Sequence, residues 1–146
     1  MPKLNFKGVG FVRNRLPKYL AERGMTRERY MALMWTCRGY DEMRRRLAQM
    51  RDPVRPVSYG INAGGGSGHG DPTAITAERV VESREKLRVS AIERAAREVA
   101  GEDWRQIILC VCRGVGFEMQ SPRPRCGERA FRERVWVFFV LLDRWV

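Results

Sequence analysis

A chain of 146 residues with 28 basic and 17 acidic side chains has the length of one ordinary domain and a formal net charge of +11, far more than solubility requires. Its 44% apolar content excludes general disorder, and no run approaches the roughly 20 apolar residues that span a bilayer. Such a charge attracts phosphate backbones or anionic membrane surfaces, and arginines, whose planar fork suits phosphate and guanine edges, outnumber lysines 24 to 4. A genome rich in arginine codons would leave the same skew. Met1-Pro2-Lys3 leads into no apolar signal segment, so a cytoplasmic location is expected, with the four cysteines as thiols and no membrane partner.

Residues 1–56 hold 14 basic and five acidic side chains and read as a basic helical N-terminal lobe. Arg15 to Glu22 predict a short helical segment that Gly24 stops. Thr26 is a candidate N-cap for a helix to about Cys37, with Tyr30, Leu33 and Met34 on one face. Gly39 breaks the pattern, and Asp41 opens a helix in which Met43, Leu47 and Met50 form a stripe. Arg44, Arg45, Arg46 and Arg51 lie around that stripe as candidate phosphate contacts, and Pro53 and Pro56 end the helix.

Residues 57–70 carry six of the 14 glycines and no Asp, Glu, Lys or Arg, which predicts a flexible tether. A phosphate-binding loop is not expected, because no Lys-Ser/Thr follows the glycines and no strand precedes them.

Residues 71–146 read as a second helical lobe. Asp71 or Thr73 can cap a long helix with Pro72 in its first turn, running to about Val99 before Gly101 ends it. Ala77, Val81, Ile92, Ala95 and Val99 recur at helical spacing, with Glu82, Glu85, Arg88 and Arg97 expected in water. Asp103 can cap the helix WRQIILCVCRG, whose apolar face is Trp104, Ile107, Ile108 and Val111. Gly114 to Gly127 connect it, with room for a short helix from about Val115 to Gln120, to a final helix over about Glu128 to Trp145. Two helices around a polar, basic connection fit a helix-turn-helix over 103–146, and the whole chain fits an all-α small helical bundle.

Asp71-Pro72-Thr73 after a glycine-rich break, Ile92-Glu-Arg-Ala95, Trp104-Arg-Gln-Ile-Ile108, and Cys126-Gly-Glu-Arg-Ala-Phe-Arg-Glu-Arg134 leading into Phe138 to Leu142 occur in that order. Together they resemble phage-encoded transcriptional regulators of the ArpU/RinA type, well over residues 71–146 and loosely over 26–56. The resemblance implies a C-terminal helix-turn-helix like the promoter-reading part of a sigma factor, acting on double-stranded DNA with contact to RNA polymerase. It implies base reading by Arg129, Arg132 and Arg134, with Phe131 packed inward, and phosphate contacts from Arg123 and Arg125. One departure stands out. Val135 to Leu142 are eight consecutive apolar residues where the family pattern keeps more polar positions. They wrap a helix completely, so that helix is either the central beam of the core or a homo-oligomer contact through Trp136, Phe139 and Val140. A short central strand is the other reading of the run.

Chemistry finds little support. The single histidine, His69, lies in the tether without an ordering partner. Cys110 and Cys112 diverge on a helix, their spacing to Cys126 fits no common zinc finger, and the carboxylates are scattered. The expectation is a DNA-binding transcriptional regulator of phage or prophage type, not an enzyme, with no cofactor, metal or catalytic residue. The alternative is a structural or packaging module of a phage that touches nucleic acid non-specifically.

Overall fold

Residues 15–51 and 72–146 are described by a computed structural model, and among them there are helices and turns but no strand. Five helices of ten residues or more and one single-turn helix form a small all-α bundle: α1 (Lys18–Ala21), α2 (Arg27–Arg38), α3 (Tyr40–Arg51), α4 (Pro72–Ala100), α5 (Trp104–Arg113) and α6 (Glu128–Trp145). The 57–70 tether, His69, Asp71, Pro53, Pro56 and the Arg51 side chain lie outside the described residues.

Local chemistry sets most boundaries. Gly24 takes a φ of 81°, a left-handed conformation that a Cβ would strain, and turns the chain from α1 into α2. Thr26 Oγ1 accepts the Arg29 backbone N–H at 3.2 Å, so it is the N-cap of α2. Gly39 keeps a right-handed φ of −78°, and α3 begins immediately after it at Tyr40, one residue before Asp41. α4 opens with Pro72 in its first position. Gly101, with φ of 55°, reverses the chain through a 3₁₀ turn, Gly101–Asp103, into α5. Gly114, also left-handed, closes α5 with its N–H donated to the Cys110 carbonyl. The helix expected near Val115–Gln120 is only a 3₁₀ turn, Phe117–Met119, set between extended residues Gly116 and Gln120.

Both halves of the described chain share one core. Leu20, Tyr30, Leu33 and Met34 from α1 and α2 join Ile92 and Ala95 of α4, Ile107 and Val111 of α5, and Phe131, Val135, Phe138 and Leu142 of α6. The apolar run is therefore helical, with Val135, Phe138, Phe139 and Leu142 in the core and Trp136, Val137, Val140 and Leu141 half-buried. Phe139, expected as a self-association residue, is instead 1% exposed, with its ring edge-on to Tyr30 at 5.1 Å. Trp136 is half-buried and stacks on Tyr19 at 5.4 Å, and Val140 is half-buried against the core.

The stripe on α4 departs from expectation at its N-terminal half. Ala77 and Val81 are exposed, because the bundle packs mainly against the later turns of this 29-residue helix. Glu85, expected in water, is buried, and Arg46 Nη1 of α3 reaches it at 3.0 Å. Met50, expected in the α3 stripe, is half exposed, while Met43 and Leu47 are buried.

Candidate nucleic-acid interface

The 3₁₀ turn before α5 organises the basic side of the molecule. Asp103 is buried and makes no cap bond within its own helix. Its Oδ2 instead accepts the Arg125 backbone N–H at 3.0 Å and lies 3.8 Å from Arg134 Nη1. The carboxylate thus ties the 114–127 connection and the second turn of α6 to the start of α5. Gln120, also buried, adds a second tie by donating from Nε2 to the Gln106 and Val115 carbonyls.

These ties hold open a cleft of about 610 Å³ between α3, α5 and the connection. Five arginines line it, Arg44, Arg105, Arg113, Arg123 and Arg125, with Tyr40 and Trp104 as aromatic walls and Glu102 and Asp103 as the acidic members. Tyr40 is buried beneath Arg44 and donates its hydroxyl hydrogen to Glu93 Oε1 at 2.7 Å. Burial, and then the Glu93 bond, push the Tyr40 phenol up to about 12.

The five guanidiniums are not equally available. Arg113 closes its fork on Asp41 at 2.9 and 3.0 Å, which holds the Asp41 carboxyl below its ordinary range and raises Arg113. Arg123 and Arg125 each pair with one carboxylate, Glu118 (3.5 Å) and Glu102 (2.6 Å), while Arg44 lies 3.9 Å from Glu93 and also donates to the Tyr40 hydroxyl at 3.4 Å. Exposed pairs of this kind are worth roughly 0–1 kcal/mol, and each guanidinium keeps further N–H donors, so a polyanion can compete for them. Arg105 has no carboxylate partner among the described residues and stands over Trp104, 5.5 Å from the ring centroid.

Of the expected phosphate contacts, Arg44, Arg123 and Arg125 therefore meet at one site. Arg45 and Arg46 do not line it: Arg45 pairs with Glu42, and Arg46 pairs with Glu42 and Glu85. The expected base-reading residues divide. Arg129, its side chain 94% exposed, and Arg132 alternate with Glu133 and Glu128 on the first turns of α6, pairing at 3.5 and 3.4 Å, so that patch carries no net charge. Arg134 turns to Asp103 instead.

Arg105, Arg113, Trp104 and Tyr40 are the cleft residues that sequence reasoning missed. The one local signal was the Trp104-Arg105 pair directly after two acidic residues.

No group of His, Cys, Asp and Glu suited to a metal ion occurs among the described residues, and no described helix is long and apolar enough to cross a membrane. Cys110 and Cys112 are buried in the core. Burial pushes the Cys110 thiol up to about 12, and Cys112 is raised by its hydrogen bond with Cys37 and by burial, so neither is poised as a thiolate. No family model, curated protein or solved structure matches the chain.

Proposed function

We propose that the protein is a DNA-binding regulator of phage or prophage type, working in the cytoplasm without enzymatic chemistry, and that it grips the DNA backbone at the arginine-lined cleft. The convergence of Arg44, Arg105, Arg123 and Arg125 from three separate segments, in a chain of net charge +11, is the observation that carries this proposal. Arg129, exposed, and Arg132, half-buried, at the start of α6 are the base-reading residues of the same proposal. With Phe139 inside the chain's own core, the alternative of a self-associating packaging module rests, on α6, on the half-buried Trp136 and Val140.

Two double variants of equal charge loss separate the roles, measured by mobility shift on several unrelated duplexes. Arg105→Ala/Arg123→Ala is expected to weaken all duplexes alike, by roughly tenfold or more at moderate salt. Arg129→Ala/Arg132→Ala is expected to flatten the preference among them. Undiminished binding by the cleft variant would refute the proposal.

A further inference from the structure

The cleft that would hold the backbone is concave and about 610 Å³ in volume, the range of pockets that enclose small molecules. A duplex backbone can lie across the arginines at the mouth of such a hollow, but its stacked bases do not enter it. One extruded nucleotide does.

The walls match the parts of a nucleotide. Trp104 is half-buried, and two planar guanidiniums already stand over its ring, Arg97 at 4.5 Å and Arg105 at 5.5 Å from the centroid. Indole faces draw flat cationic or π groups, and nucleobases stack on them with little regard to sequence. Arg97 is not part of the cleft lining, whereas Arg105 is, so Arg105 occupies the position that a base entering the cleft would take. Displaced from the ring, its guanidinium has no carboxylate to return to among the described residues and is free for a phosphate. Arg123 and Arg125 stand in the same lining. Elsewhere in the lining, Gln106 is more than nine-tenths buried, and its Oε1 has no hydrogen-bond partner among the described residues. A buried amide oxygen left over in this way is an acceptor suited to an exocyclic base amine.

We propose that the cleft takes a single unpaired nucleotide of a DNA strand, its base laid on Trp104 and its phosphate held by Arg105, Arg123 and Arg125. The inference rests on the DNA-binding proposal above and specifies the form of DNA that this site accepts.

The full chain is titrated with three fluorescently labelled DNAs: a blunt duplex, the same duplex with a short unpaired adenosine tail, and the same duplex with an abasic tail of equal length and charge. The adenosine tail is expected to bind about tenfold more tightly than the abasic tail, since one stacked base contributes on that order. Trp104→Ala should erase the difference, while Trp104→Phe, which keeps an aromatic face and the packing around it, should retain most of it. Equal binding of adenosine and abasic tails overturns this inference and leaves the DNA-binding proposal standing. Failure of all three DNAs to bind overturns both.

Discussion

Tyr30 and Tyr40 are the two phenols whose environment changes their chemistry. Tyr30 is fully buried, and burial, followed by the nearby Cys110 and Cys37, pushes it up to about 12, the same value that burial and Glu93 give Tyr40. Both keep their protons in the folded chain to about pH 12, whereas in the unfolded chain they release them near the ordinary 10.0. The folded state then binds more protons between those limits, so its stability is intact below about pH 10 and falls as the pH rises towards 12. Urea titrations across that window should show the fall, and Tyr40→Phe, with one titrating phenol fewer, should make it shallower. An unchanged slope in the variant would contradict the assignment. Single residues were also where sequence reasoning erred most. Glu85 lies on the turn of α4 where the helix enters the bundle, and only the approach of α3, bringing Arg46 to it, turns a surface carboxylate into a buried one. Periodicity along one helix carries no record of what packs across it.

At the scale of elements, the helices themselves were legible because their punctuation is local. Thr26, Gly101 and the span of α6 follow from capping chemistry, backbone freedom and apolar content within a few residues. Asp103 had the right residue type and position for a cap, yet its carboxylate serves partners 22 and more residues further on, a long-range contact that no local pattern encodes. Asp103→Ala should therefore act on the connection more than on α5. It leaves the Arg125 N–H and the Arg134 guanidinium without their shared acceptor, at a cost of about 1–3 kcal/mol in unfolding free energy. Amide exchange at Arg125 should quicken while that at Ile108 and Val111, inside α5, changes little. Equal loosening throughout α5 would restore Asp103 to the role of a helix cap.

For the whole molecule, the distribution of charge matters more than its total. The N-terminal excess is partly answered by carboxylates of later helices: Arg44 meets Glu93, Arg46 meets Glu85, and Arg29 meets Asp143. The cleft arginines come from segments about eighty residues apart in sequence, which is why the total charge was legible at once and the site was not. The central claim is that these arginines neutralise phosphates, and the salt dependence of duplex binding measures it most directly. Each phosphate contact adds about 0.9 to the slope of log K against log salt. Arg105→Ala/Arg123→Ala should lower the magnitude of the wild-type slope by about 1.8, two contacts' worth. A wild-type slope near zero, or one that the double variant leaves unchanged, would contradict the account.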